Sequence, residues 1–123
     1  MKKNKILLIE DEPDQIEMIK MRLEANGFVV IFAQDGSDGL KKAAEEKPDL
    51  IILDIIMPYM DGFQVCKALQ QEESTKSIPI LILTASGRKD VEDKCIDCGA
   101  RCVLKKPYDS KELIFKINSL IGQ

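Results

Sequence analysis

Two hydrophobic patterns alternate along the chain. Short unbroken apolar runs read as strands buried on both faces, and apolar residues three and four apart read as helices. Residues 6–9, Ile-Leu-Leu-Ile, form the first run. Pro13 then suits the first turn of a helix with Asp11 or Glu12 as its cap, and Ile16, Ile19 and Leu23 share one face of that helix until Asn26-Gly27 ends it. Residues 28–32 are a second strand. Asp35-Gly36 turns into a helix carrying Leu40, Ala43 and Ala44, stopped by Lys47-Pro48. Residues 50–53 are the third strand, followed by a loop at Pro58 and Asp61-Gly62 and a short helix over 63–70. Pro79 opens a fourth strand at 80–83, a helix over 89–97 stops at Gly99, and 102–104 form a fifth strand. Asp109-Ser110-Lys111-Glu112 resembles a capping box and starts a last helix, with Leu113, Ile117, Leu120 and Ile121 on its buried side. Five strands alternating with five helices predict an α/β domain with a parallel sheet covered on both faces.

The strand ends carry the chemistry. Asp54 interrupts the apolar run Leu50-Ile51-Ile52-Leu53-Asp54-Ile55-Ile56-Met57-Pro58, and an unpaired buried carboxylate is costly, so it belongs at a strand end among partners. The first strand also finishes in acid, at Glu10, Asp11 and Glu12. Two hydrophobic strands that both end in carboxylates suggest one acidic pocket. The fourth strand ends in Thr84, followed by Ala85 and Ser86, and the fifth in Lys105-Lys106-Pro107. In open α/β sheets ligands bind beyond these carboxyl ends.

Composition narrows the function classes. The 123 residues fit one domain, 1–123, with 45% hydrophobic residues for a core and 32% charged residues for a water-facing surface. A net charge of -3 does not favour nucleic acid. No apolar stretch reaches membrane-spanning length, and the basic start Met1-Lys2-Lys3 precedes too short an apolar run for a signal peptide, so a cytoplasmic location is expected. The chain has no histidine, which removes histidine-based triads, histidine metal sites and any phosphohistidine donor within the chain.

The acidic pair after strand one, Leu-Asp-Ile-Ile-Met-Pro with Asp61-Gly62, Leu-Thr-Ala, and Leu-Lys-Lys-Pro-Tyr, all in order and at strand ends, resemble the receiver domains of two-component response regulators. The resemblance covers essentially the whole chain. It implies a flavodoxin-like (βα)5 fold of strand order 2-1-3-4-5, which makes strands one and three neighbours. Glu10, Asp11 and Asp54 carry three negative charges and Lys106 offsets one, leaving two for a divalent ion; oxygen-only ligands favour Mg²⁺ (or Mn²⁺). By resemblance Asp11, Asp54 and the Ile56 backbone carbonyl bind it directly and Glu10 acts through water. The resemblance further implies phosphoryl transfer to Asp54 as phosphoacceptor, with Lys106, Thr84 and the backbone N–H groups of Ile56 and Ala85 around the phosphoryl group. Lys106 is preferred to Lys105 because adjacent strand residues point to opposite faces and Lys106 directly precedes Pro107, whose bond the family holds cis.

The implied donor is a sensor histidine kinase or a histidine phosphotransfer protein, and the output is a downstream protein bound through the face of helix four, strand five and helix five. No nucleic acid or membrane partner is expected, and the state is a monomer or a weak phosphorylation-dependent dimer. Two departures stand out. Val103 occupies the family's aromatic switch position, and Glu10 stands where Asp is commoner. Apolar Ile56 does little to orient hydrolytic water, so a long-lived phosphorylated state is expected. The chemistry is confined to the chain's own Asp54, which argues against an enzyme. A dehalogenase-like phosphatase would want a second Asp at position 56, and a flavin binder a phosphate loop rather than three acids after strand one. The alternatives retained are a receiver excised from a larger response regulator or hybrid kinase, and a pseudo-receiver that binds partners without phosphorylation. Cys95-x-x-Cys98 invites a zinc or redox reading, but Val91, Cys95 and Cys98 share one helix face and read as core, as do free cysteines generally.

Overall fold

A computed structural model describes residues 3–55, 61–85 and 89–122. The elements are β1 (Lys5–Ile9), α1 (Pro13–Ala25), β2 (Val29–Ala33), α2 (Gly36–Glu46), β3 (Leu50–Asp54), α3 (Gly62–Gln71), β4 (Ile80–Thr84), α4 (Lys89–Asp97), β5 (Cys102–Lys105) and α5 (Ser110–Leu120). The strands form one parallel sheet of order β2-β1-β3-β4-β5. Chain order therefore reverses at β1, with β1 against β3, which opens a crevice at their carboxyl ends.

Alternation along the strands sorts the core into two layers. Leu7, Ile9, Ile51, Leu53, Ile80 and Ile82 face α2, α3 and α4, where they pack with Ala43, Val65, Leu69 and Cys95. Ile6, Leu8, Leu50, Ile52, Leu81 and Leu83 face α1 and α5, where they meet Ile16, Ile19, Leu23, Leu113 and Ile117. The central strands β1, β3 and β4 are buried almost throughout because both faces are covered, which is why their sequences do not alternate with polar residues.

The helix ends show how local sequence sets the boundaries. Asp35 and Asp109 cap α2 and α5, accepting from the N–H groups of Asp38 and Glu112 at 2.8 Å each. Asp61 caps α3 by accepting from the Phe63 N–H at 2.9 Å. At α1 the capping position is Glu12, whose side chain makes no capping hydrogen bond; Pro13, at the first position, has no N–H to satisfy. The second strand starts at Val29, one residue later than the apolar run suggests, because the Phe28 N–H is used by the Leu23 carbonyl (3.1 Å) to close α1, beside Gly27 at φ +90. Lys42 of α2 reaches the outer edge of β2. Its ammonium donates to the Phe32 carbonyl at 2.6 Å, pairs with Asp38 at 3.1 Å and lies 5.5 Å from the centre of the Phe32 ring.

Candidate functional site

Glu10, Asp11, Asp54, Thr84 and Lys106 come together at the carboxyl edge of the sheet because each lies at or just beyond the end of a central or neighbouring strand. The Glu10 N–H donates to the Ala33 carbonyl at 3.0 Å, so the ladder of β1 with β2 extends one residue past Ile9 and fixes the Glu10 backbone. Asp54 ends β3, held by the register that sets it opposite Leu83 and by the Ile55 N–H donating to the Leu83 carbonyl at 3.2 Å. Thr84, the next residue along β4, is buried. The Lys106 N–H donates to the Thr84 carbonyl at 2.7 Å, so the turn after β5 is fastened to the end of β4. The Lys106–Pro107 peptide bond is cis.

That frame sends the Lys106 ammonium across the site. Its Nζ is 3.3 Å from Asp54 Oδ2 and 4.0 Å from Glu10 Oε1. Asp54 is almost wholly buried, and Glu10 is 1% exposed, which makes it the more deeply buried carboxylate. Glu10 Oε2 accepts the Glu12 N–H at 3.1 Å, whereas Glu10 Oε1 has no hydrogen-bond partner among the described residues. One ammonium thus serves two buried carboxylates, with Asp11 close by on the solvent side. Burial, and then the Asp54 carboxyl at its side, push Glu10 up to about 8; the Glu12 N–H and the Lys106 charge pull the other way but lose.

The surplus of oxygen donors and the orphaned Glu10 oxygen fit a cation. Glu10, Asp11 and Asp54 each offer a carboxylate oxygen, all within 4.8 Å of one another, and among the described residues this is the only such group of three. Ligands on opposite sides of a Mg²⁺ ion lie about 4.2 Å apart, so small side-chain adjustments suffice. A divalent ion would also offset the burial and the Asp54 carboxyl that raise Glu10.

Of the other residues singled out in the sequence, Ile56 and Ser86 lie outside the described residues, as do Met57 and Pro58. Ala85 is exposed just past β4, and Lys105 points to solvent while Lys106 points into the site. Val103 packs into the layer beneath α4, and Tyr108 packs with the α1 and α5 layer. The four cysteines do not form a zinc site: Cys66, Cys95 and Cys98 lie on one side of the sheet and Cys102 on the other. Sequence reasoning missed the depth of Glu10 and its bond to the Glu12 N–H. No signal in the sequence marks that depth, because a carboxylate just past a strand reads as solvated.

The family model for the response regulator receiver domain matches residues 6–118. Over 117 residues the chain is 38% identical to the DNA-binding dual master transcriptional regulator RpaA of Synechocystis sp., a match covering 95% of this chain and 48% of that protein. The chain thus spans about half the length of that relative, and likewise of PhoP of Bacillus subtilis. It is 34% identical over 118 residues to Protein PilH of Pseudomonas aeruginosa, covering 96% of this chain and 98% of PilH. Among solved structures, the receiver domain of the sensor histidine kinase PA1611 from Pseudomonas aeruginosa superposes with a TM-score of 0.91 at 28% identity, covering 99% of this chain and 100% of that one. That structure holds a magnesium ion in its active site cleft.

Proposed function

The chain belongs to the response regulator receiver domain family of two-component signalling, and we propose that within it Asp54 is the phosphoacceptor of a phosphorylation-controlled switch. The observation that carries this reading is the convergence of Asp54 with Glu10, Asp11 and Lys106 in one cleft at the sheet's carboxyl edge. A carboxylate there is a nucleophile held in place. An Asp54 oxygen attacks phosphorus in line, the phosphorus–nitrogen bond of a phosphohistidine donor breaks, and an acyl phosphate forms on Asp54. The phosphohistidine of the donor lies outside these 123 residues, which contain no histidine.

The residues divide the work by charge. Lys106 sits where it neutralises Asp54 before transfer and holds a phosphoryl oxygen afterwards, a role for a fixed cation beside a buried carboxylate. Thr84, buried one residue beyond the strand partner of Asp54, supplies a hydroxyl to the incoming group, with the Ala85 N–H beside it. Glu10 and Asp11 would hold Mg²⁺ together with Asp54, and the ion supplies charge neutralisation at the phosphoryl oxygens. The transfer is confined to the chain's own Asp54, so the domain signals rather than turning over a substrate. Its output is protein binding through α4, β5 and α5, where Val103, at the family's aromatic switch position, packs beneath α4. Among the described residues no helix is long and apolar enough to cross a membrane.

Incubation with Mg²⁺ and acetyl phosphate, followed by intact mass, tests the reading. Wild type should gain one phosphoryl group and Asp54→Ala none. A wild-type protein that stays unmodified, and also fails to bind a fluoride mimic of the phosphoryl group, would overturn it.

A further inference from the structure

Three cysteines meet at a corner of the fold that the phosphoryl chemistry does not use. Cys66 on α3 and Cys95 on α4 are fully buried, and Cys98, directly after α4, is partly exposed. The Cys66 thiol donates to the Cys98 carbonyl at 3.4 Å, with the Cys98 side chain beside it. The Cys98 thiol in turn donates to the Cys95 carbonyl at 3.0 Å. The turn carrying Cys98 is well fixed. Its N–H donates to Lys94 at 3.0 Å, and Gly99 follows at φ +104. One helical turn along α3 from Cys66, the Gln70 side chain fills the space where a β-carbon on Gly99 would sit. Helix α3 therefore grips the 98–99 turn at two points, and one of them is the Cys66 thiol on the Cys98 backbone.

Access to the two sulfurs differs. Cys98 lines a cleft open to solvent with Phe63, Lys67, Lys94 and Asp97. Cys66 lies behind it, where burial pushes its thiol well above the usual range. A small oxidant reaches Cys98 first, and Cys66 is the neighbour placed to resolve the product. Cys102 packs on the opposite face of the sheet, against the α5 layer, and is out of reach.

We propose that Cys66 and Cys98 are an oxidisable pair, which a hydroperoxide converts into a disulfide stapling α3 to the end of α4. The Cys98 sulfur attacks a peroxide oxygen, the oxygen–oxygen bond breaks, and Cys98 sulfenic acid and one water form from hydrogen peroxide. The Cys66 sulfur then attacks the Cys98 sulfur. The sulfur–sulfur bond forms, the sulfur–oxygen bond breaks, and the departing hydroxide leaves with the Cys66 proton as a second water. The two thiols together lose two electrons and the peroxide gains them. In a reducing compartment such a bond is transient and reports the oxidant rather than holding the fold.

The test treats the full chain with hydrogen peroxide, removes the oxidant with catalase, blocks remaining thiols with N-ethylmaleimide in denaturant, and reads intact mass and peptide masses. Two of the four cysteines should escape alkylation, and a Cys66–Cys98 linked peptide should appear and vanish with dithiothreitol. Cys102→Ser should keep the bond, while Cys66→Ala and Cys98→Ser should lose it. Should Cys66→Ala fail to fold, Cys98→Ser, at a partly exposed position, still decides the matter. Four alkylated thiols, a sulfinic acid on Cys98 beside a free Cys66, a Cys95–Cys98 link or a bond between chains would each overturn the proposal. No phosphodonor is present, so the result is independent of the role given to Asp54.

Discussion

Glu10→Gln should stabilise the metal-free domain at neutral pH, although it removes a charge from the site. The Glu10 carboxyl is raised from 4.5 to about 8 by burial and by Asp54. Below pH 4.5 it is protonated in both folded and unfolded chains, and its burial carries no ionisation penalty. As pH rises toward 8, the unfolded chain releases the proton while the folded one keeps it. The folded state then binds more protons, so stability falls, by at most about 1.4 kcal/mol per pH unit for this group. At pH 7, about 2.5 units above the unfolded value, the penalty reaches about 3 kcal/mol as an upper bound, since the charges of Asp54 and Lys106 act on the Glu10 ionisation from close by. Glutamine keeps the shape without the titration. Urea unfolding in EDTA should show the variant more stable than wild type by about 1–3 kcal/mol at pH 7–8, and equal to it near pH 4.5. Added Mg²⁺ should stabilise wild type more than the variant, because the ion removes the penalty that the substitution has already removed. A variant less stable than wild type in EDTA at pH 7, or a difference that stays flat from pH 4.5 to 8, would refute the reasoning.

Three further outcomes follow from the geometry. Gly62→Ala would place a β-carbon 2.6 Å from the Ile55 carbonyl oxygen and 2.7 Å from Ile55 Cα, so α3 must shift; chemical denaturation should show a loss of about 1–3 kcal/mol. Lys106→Ala should leave the fold intact but slow acyl phosphate formation from acetyl phosphate by about 100-fold or more, measured as the initial rate of mass gain, because the fixed cation beside Asp54 is gone. Asp35→Ala and Asp109→Ala should each lower stability by about 1 kcal/mol through loss of a helix cap, and the double variant should show the sum, since the caps serve helices on opposite faces of the sheet.

The elements were legible because the apolar runs of β1, β3 and β4 contrast sharply with the helical spacing of Ile16, Ile19 and Leu23. The errors lie at the edges. Phe28 is buried and apolar, so it reads as strand, but its N–H is committed to Leu23 and the ladder starts at Val29. Composition cannot show where a backbone donor is spent. The site was legible as a set of strand-end residues only once a strand order was supplied. Asp54 and Lys106 are 52 positions apart, and nothing in their spacing brings them together; the adjacency of β3, β4 and β5 does. The depth of Glu10 was not legible at all. A carboxylate after a strand reads as solvated, and only the packed structure shows one of its oxygens with no partner among the described residues.

The placement of Lys42 bears on how the domain behaves among its own copies. Within β2, Val29 and Ala33 bond toward β1, so the polar backbone groups of Phe32 point out over the open edge of the sheet. A bare edge of this kind is a template for a strand from another molecule. Lys42 occupies it from within, with its ammonium on the Phe32 carbonyl and above the half-exposed phenyl ring, held in turn by Asp38. An intruding strand would have to strip away a charge-assisted hydrogen bond before it could add one of its own. Acetylating Lys42 would uncover a vacant ladder position and a greasy ring in one step, turning a guarded edge into a nucleus for strand-to-strand aggregation.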